Sequence, residues 1–169
     1  MSRELLLLRH AKSAWDTNAR SDFERPLAKR GLQAAPKVGR FLASKGLTPD
    51  YVVSSPAERA RQTVILACEE MGVAERAIHW DPRIYLAGTR MLIDVLRDAP
   101  PQAGRVLMTG HNPGFEQLLR TLCAEPLAVP GDGKLMPTAA VARLEITVPW
   151  RDLEEGVARL LSLTRSRSL

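Results

Sequence analysis

The amino-acid sequence predicts a layered α/β domain. Short apolar runs alternate with longer segments whose apolar residues recur at helical spacing, a pattern typical of strands and helices that alternate along the chain. Near the end of the chain, residues 139–148 and 157–163 are two apolar segments separated only by a turn. They predict an antiparallel strand pair at one edge of the sheet. The 169 residues suit a single domain spanning residues 1–169.

The first half of the chain is predicted to hold two strands and two helices. The apolar run at residues 4–9 predicts a fully buried first strand, and residues 50–54 predict the second. Residues 28–45 have helical spacing, and Pro36 should kink or split that helix. The sequence SPAE at residues 55–58 is a capping box, which predicts that the second helix begins there.

The same patterns continue through the second half of the chain. They predict a brief strand at residues 79–80, a helix at 88–97 and a strand at 105–109. Asn112, followed by a proline, is predicted to cap a further helix that runs to about residue 123. In the alternating segment 139–148, the alternation slips before Leu144.

Charge and composition narrow the classes of function. The formal net charge of +5 favours anionic partners, either phosphate esters or nucleic acid. Only 5% of the residues are aromatic, which is poor material for base stacking, so we do not expect nucleic-acid binding. No apolar run approaches the roughly 20 residues of a membrane span, and the early apolar run is too short for a signal peptide. We therefore expect a cytoplasmic protein that does not bind membranes.

Charged side chains follow three predicted strands at the point where each strand ends. Arg9 and His10 end the first strand, Arg59 follows the second, and His111 follows the strand at residues 105–109. Ligands of open α/β sheets bind outside the carboxyl ends of the strands, so we expect these groups to meet at one edge. Two imidazoles and two guanidiniums would then surround one spot, with helix N-termini directed at it.

Such a cluster is suited to phosphoryl transfer. Arginine presents planar, permanently charged forks that match phosphate oxygens. A neutral histidine can attack phosphorus in line while cationic groups neutralise the equatorial oxygens. No carboxylate pair or cysteine cluster suggests a metal site, and the isolated Cys68 and Cys123 are predicted to be buried thiols. We therefore expect no metal and no cofactor, with the arginines neutralising charge instead.

Each of these residues also has an ordinary structural explanation when it is taken alone. Arg9-His10 is a common dipeptide, Arg59 could be a surface side chain, and His111 could belong to a capped turn. His79 carries no motif and is predicted to be structural. The conjunction of three polar sites directly after three predicted strands favours a functional site.

Four segments together resemble the signatures of the histidine phosphatase superfamily. They lie between residues 5 and 116, in family order and at family-like spacing: LLLLRHAKSAW, DFERPLAKRG, SSPAERARQT and TGHNPGFE. The variant details and the short length are closest to the small bacterial phosphohistidine phosphatases of the SixA type. The resemblance implies a phosphoglycerate mutase-like fold, a three-layer α/β/α sandwich with a mostly parallel sheet and an antiparallel edge.

The resemblance also implies roles for single residues. His10 would be the nucleophile that accepts the phosphoryl group. Arg9, Arg59 and His111 would hold the phosphoryl oxygens, with His111 acting as a hydrogen-bond donor or a cation when phosphate is bound. The mutase branch usually has glycine after the Arg-His pair, where this chain has Ala11, and this chain lacks the longer insertions that hold a sugar phosphate.

The general acid of the related enzymes is missing from its usual places. Asn112 stands where the acid phosphatase branch has an aspartate, and the segment DPRIYLAG has no glutamate where the mutase branch has one. Asp81, the first residue of that segment, is the carboxylate nearest to the place of the missing glutamate. When phosphohistidine is protonated on its ring, the leaving group is a neutral imidazole. Imidazole is a weak base, with a conjugate-acid pKa of about 6.5, and it departs with little help from an acid. We therefore expect a preference for phosphohistidine in proteins or a similar activated phosphate.

Other interpretations stay open at this point. The chain could be a small-molecule phosphomonoesterase or mutase of the same superfamily, or a catalytically inactive phosphate-binding module. The expected partner is a phosphorylated substrate, for example a phosphohistidine-carrying protein. Its acidic surface could be seated by Lys12, Arg20 and Arg25. Those three side chains could equally be solvated loop charges, and the oligomeric state is not predicted.

Overall fold

A computed structural model describes residues 2–169, in which six strands form one sheet that four α-helices cover. The strands are β1 Arg3–Arg9, β2 Tyr51–Ser54, β3 Ile78–Trp80, β4 Arg105–Gly110, β5 Val141–Ile146 and β6 Ala158–Thr164. The helices are α1 Lys29–Ser44, α2 Glu58–Glu70, α3 Thr89–Arg97 and α4 Gly114–Leu122. No helix within residues 2–169 is long and apolar enough to cross a membrane.

The sheet is parallel on one side and antiparallel on the other. Its strand order is β3-β2-β4-β1-β5-β6. The four strands from β3 to β1 run parallel, whereas β5 pairs antiparallel with β1 and β6 pairs antiparallel with β5. The register of the last pair shifts between Arg143 and Leu144, where the sequence alternation slips. The predicted mostly parallel sheet with an antiparallel edge is confirmed.

Strand β1 lies at the centre of the three layers and is buried on both faces. Leu5 and Leu7 pack into the core beneath α3 and α4, whereas Leu6 and Leu8 pack beneath α1 and α2. Because successive side chains of a strand point to opposite faces, a continuous apolar run is what a doubly covered strand requires. The two cysteines are buried free thiols, one in each of these cores.

Of the two outcomes predicted for Pro36, a kink or a split of the first helix, the split is wrong. Helix α1 runs without interruption from Lys29 to Ser44 with Pro36 inside it. A proline removes one backbone hydrogen bond and crowds the preceding turn, which weakens a helix but does not by itself end it. Here α1 buries the face that carries Ala35, Val38 and Leu42, and this tertiary packing stabilises the helix more than local propensity does.

Two predicted helix caps are also wrong. Helix α2 begins at Glu58, and neither it nor α4, which begins at Gly114, has a side-chain cap. Ser55 and Asn112 lie before these helices and make tertiary hydrogen bonds instead, to His111 and to the Met136 backbone. The capping preference of serine and asparagine reflects a short polar side chain, and the same side chain serves equally well in a binding site.

Helices α1 and α2 approach closely at Gly39. A Cβ atom at this position would lie 2.3 Å from the carbonyl oxygen of Ala67, so Gly39→Ala forces the helices apart. We expect the free energy of unfolding to fall by about 1–3 kcal/mol, although alanine has the higher helix propensity. Urea denaturation measures this, with Gln33→Ala on the exposed side of α1 as the control. Unchanged stability in Gly39→Ala would show that the close approach is not needed.

Candidate active site

Three strand ends meet at one edge of the sheet. Backbone hydrogen bonds join them just beyond the strands, from His10 N to Gly110 O at 3.0 Å and from Ser55 N to Thr109 O at 3.0 Å. The segments that follow β1, β2 and β4 are therefore held side by side. The structure brings the predicted site residues together in one open cleft of about 560 Å³, whose lining includes Arg9, His10, Arg59 and His111.

The His10 imidazole is fixed by its own backbone neighbour. Its Nδ1 lies 2.8 Å from the carbonyl oxygen of Ala11. A carbonyl oxygen can only accept, so Nδ1 carries the hydrogen and Nε2 carries the lone pair. Burial, together with the charges of Arg9 and Arg59, lowers the pKa of His10 to about 4. The ring is therefore neutral at neutral pH, with Nε2 available as a nucleophile.

The His111 imidazole lies beside that of His10, with 5.2 Å between the ring centroids. Its Nε2 is 2.8 Å from the hydroxyl of Ser55, which also accepts a hydrogen bond from Ala57 N at 3.2 Å. When the hydroxyl donates to Nε2, the ring hydrogen resides on Nδ1, and that atom is buried with no partner in residues 2–169. Burial lowers the pKa of His111 to about 3, helped by His10 and Arg59.

Both arginines keep a buried donor without a partner. Arg9 donates from Nη1 to the carbonyl oxygen of Met136 at 3.1 Å, and Arg59 donates from Nη1 and Nη2 to Asp22. The Nε atom of each arginine is buried and makes no hydrogen bond within residues 2–169. Nδ1 of His111 is the third buried nitrogen without a partner, and it is a donor when Ser55 donates to Nε2, so all three belong to side chains that line the cleft around His10. Buried donors are rarely left unpaired, so this arrangement is suited to an anion with several acceptor oxygens.

Asp22 is a residue of the site that the sequence reasoning missed. Its backbone oxygen and its Oδ2 accept from Arg59 Nη1 at 2.7 Å and Nη2 at 3.0 Å, and Tyr85 Oη donates to the same Oδ2 at 2.6 Å. Arg25 Nε donates to Oδ1 at 3.1 Å. The hydrogen bond from Tyr85, followed by Arg59, lowers the pKa of Asp22 to about 2, so it is ionised at neutral pH. The sequence indicated Asp22 only through its position as the first residue of the family-like segment DFERPLAKRG.

Thr63 is a second residue that the sequence did not single out. Its hydroxyl accepts from Ala11 N at 3.0 Å and donates to the carbonyl oxygen of Arg59 at 2.7 Å. This side chain therefore joins the backbone just after His10 to the first turn of α2, which carries Arg59. It fixes the distance between the two functional groups, although it does not line the cleft.

The cleft has no acidic side chain in its lining, within residues 2–169. Asp81, the nearest carboxylate in the sequence, is paired with Arg83 at 2.7 Å and lies outside the cleft. Asn112 donates to Glu116 at 3.1 Å and to Met136 O at 2.9 Å, and Glu116 does not line the cleft either. In the same residues, no group of three or more histidine, cysteine, aspartate or glutamate side chains is placed to hold a metal ion.

The remaining predicted residues divide between the cleft and the surface. Lys12 and Arg25 line the cleft, and Arg25 lies 3.7 Å above the ring of Trp15, which is itself in the lining. Arg20 is outside the cleft. His79 is exposed on β3 and stacks on Tyr51 with 4.6 Å between centroids, so the structure places it away from the site.

Known proteins are similar to this chain in sequence and in fold. The profile of the histidine phosphatase superfamily (branch 1) matches residues 5–84. An uncharacterised protein of Mycobacterium tuberculosis is 30% identical over 158 residues, 91% of this chain and 96% of that protein. An uncharacterised chloroplast protein of Arabidopsis thaliana is 33% identical over 125 residues, 69% of this chain but only 57% of the plant protein. A Nakamurella multipartitia structure assigned as the phosphohistidine phosphatase SixA has 27% identity and a TM-score of 0.81, covering 98% of this chain and 96% of that one.

The two cleft histidines predict an acid-sensitive fold. Their pKa values, about 4 and about 3, lie below the ordinary value of 6.5, so between pH 6.5 and 4 the unfolded chain binds more protons than the folded one. We expect the free energy of unfolding to fall as the pH is lowered from 7 to 5, by about 1–2 kcal/mol for each histidine. Urea denaturation at both pH values should show a smaller fall in His10→Gln and in His111→Gln. His79→Gln is the control. If the free energy of unfolding fell equally little between pH 7 and 5 in that variant, the assignment of the pH dependence to His10 and His111 would be contradicted.

Proposed function

We propose that this chain, which belongs to the histidine phosphatase superfamily, hydrolyses phosphohistidine in proteins through a phosphorylated His10. The likeness to a SixA protein supports phosphatase activity for the chain, and the substrate and residue roles are our inference from the cleft. The observation that carries the proposal is the lone pair of His10 Nε2 in a cleft lined by three side chains, each of which keeps a buried nitrogen without a hydrogen-bond partner. These nitrogens are Arg9 Nε, Arg59 Nε and His111 Nδ1.

In the first step, His10 Nε2 attacks the phosphorus atom of the substrate in line with the bond that breaks. The phosphorus–nitrogen bond of the substrate is cleaved, its electron pair goes to the departing imidazole, and the phosphoryl group is left on Nε2. The equatorial oxygens accept hydrogen bonds from the two arginine Nε atoms and from His111 Nδ1. These donors are held in place before the reaction, so stabilising the transition state needs little reorganisation.

In the second step, water attacks the phosphoryl group on His10 from the open side of the cleft. The bond between phosphorus and Nε2 breaks, orthophosphate is released, and His10 returns to its neutral form. The Ala11 carbonyl keeps the hydrogen on Nδ1 throughout, so Nε2 is again the free nucleophile. The positive charge of the arginines does the work that a metal ion does in other phosphatases, and we propose that no metal takes part.

Among the described residues 2–169, no carboxylate lines the cleft, and this supports an activated substrate. An alkoxide leaving group is a strong base and needs a proton from a general acid as it departs. Asp22 is held ionised by its hydrogen bonds, and Asp81 is paired with Arg83, so neither is placed to donate. When a phosphohistidine is protonated on its ring, its leaving group is a neutral imidazole with a conjugate-acid pKa of about 6.5. This leaving group does not need a proton from a general acid.

One prediction of the proposed function concerns the substrate. The purified protein should release phosphate from chemically phosphorylated histidine in the presence of a chelator, and His10→Ala should lower the rate by about 10³-fold or more. Alkyl phosphates should be hydrolysed at least about 10²-fold more slowly, because they need the missing acid. Equal rates on both would favour a small-molecule phosphomonoesterase. Binding of orthophosphate without any turnover would indicate a phosphate-binding module.

A second prediction concerns the geometry of Arg59. Arg59→Lys keeps the charge but removes the Nε donor and the two-point hold of Asp22, so kcat/KM for phosphohistidine should fall by about 10²-fold. Arg61→Lys is the matched control, since Arg61 lies on the same helix and makes only exposed ion pairs. Steady-state kinetics on both variants measure the difference. An unchanged kcat/KM in Arg59→Lys would mean that charge alone is sufficient at this position.

A further inference from the structure

A second concave surface, in which cations outnumber carboxylates, adjoins the cleft, and we name it the basic groove. Five of its lining residues are cations that come from separate parts of the chain: Lys12, Arg30, Lys134, Arg165 and Arg167. The groove has a volume of about 230 Å³. Surface charges of a typical domain are interspersed in sign, so five like charges around one concavity call for a partner.

The groove is continuous with the candidate active site. Lys12 and Thr138 line both the cleft and the groove. A third depression contains these two residues together with Arg9 and Lys134, and so lies between the two. A ligand held in the cleft can therefore extend into the groove without leaving the surface.

Asp132, the one carboxylate that lines the groove within residues 2–169, is already neutralised. Asp132 accepts from Arg165 Nη1 at 2.6 Å and Nη2 at 3.0 Å, from Arg167 Nη2 at 3.4 Å and from Lys134 N at 3.0 Å. These bonds dock the end of the chain against the loop around residue 132. They leave most of the positive charge uncompensated, because Lys12, Arg30 and Lys134 have no carboxylate within 4.0 Å in residues 2–169.

The chemistry of the groove favours several separate carboxylates over one phosphate. In the catalytic cleft, phosphate-binding character is marked by buried donors without partners, and none of the orphaned donors in residues 2–169 belongs to the groove. Lys12, Arg30, Lys134 and Arg167 are exposed and lie on different segments, so they match charges spread along a chain. No aromatic side chain lines the groove within the described residues, so it offers no platform for nucleic-acid bases.

We infer that the basic groove binds an acidic segment next to the phosphohistidine of a protein substrate. This inference rests on the proposed function and adds the class of partner. Glutamate and aspartate side chains near the phosphohistidine pair with the groove cations while the phosphorylated ring enters the cleft. The groove then lowers KM for acidic substrates and leaves the chemical step unchanged, because none of its arginines touches the phosphoryl group.

The test compares two phosphohistidine peptides of equal length, one flanked by glutamate and aspartate and one by glutamine and serine. The acidic peptide should have a kcat/KM about tenfold higher at low salt, through KM, and raising the salt concentration should remove the difference. The double variant Lys134→Glu and Arg167→Glu should abolish the preference while free phosphohistidine is hydrolysed at the wild-type rate. Arg76→Glu, at an exposed position outside the groove, should keep the preference.

Two results would overturn the inference while the proposed function stands. One is equal kcat/KM for both peptides, and the other is a preference for acid that survives the double variant. A single-stranded oligonucleotide that inhibits the wild type but not the double variant, more strongly than the dephosphorylated acidic peptide, would also overturn it in favour of nucleic acid. Failure to release phosphate from any phosphohistidine substrate would instead refute the proposed function.

Discussion

The crowding of positive charge in the cleft is the constraint on which the rest of the site depends. Arg9 and Arg59 are permanently charged, and both lie in the same lining as His10 and His111. Protonating both imidazoles would bring four cations together in a partly desolvated space. Burial and the neighbouring charges instead lower the pKa of each histidine far enough to keep both rings neutral at neutral pH. The crowding that attracts an anion therefore also keeps a nucleophilic lone pair free.

Two carboxylates compensate the arginines without competing for the anion. Asp22 takes the Nη1 and Nη2 end of Arg59, which leaves the edge that carries Nε for a ligand. Burial lowers the pKa of Arg9, and Glu116, which is held by Asn112 and by the Met136 backbone, opposes that shift. Neither carboxylate lines the cleft, so the anion meets only neutral and cationic groups there. Placing the counter-charges outside the cleft stabilises buried guanidiniums and preserves their affinity for phosphate.

The sequence predicted what depends on strand order and missed what depends on loop conformation. His10, Arg59 and His111 each follow a strand, and the rule that parallel strands end at one edge was sufficient to bring them together. Asp22 lies in the long segment between β1 and α1, where no periodicity limits the backbone path, so its contact with Arg59 could not be predicted from spacing. Ser55 was misassigned because a serine before a helix is usually a cap, and only the position of His111 reveals its other partner.

The two histidines are chemically identical, and their partners give them opposite roles. The Ala11 carbonyl oxygen only accepts, so it fixes the hydrogen of His10 on Nδ1 and leaves Nε2 as a base. The Ser55 hydroxyl can also donate, and when it donates to Nε2 of His111 it leaves Nδ1 as a donor. An arriving phosphate dianion raises the pKa of a nearby imidazole, which strengthens His111 as a donor. In the proposed mechanism, His10 cannot take up that proton once its Nε2 is bonded to phosphorus, so from that stage the phosphoryl charge strengthens only the proposed donor.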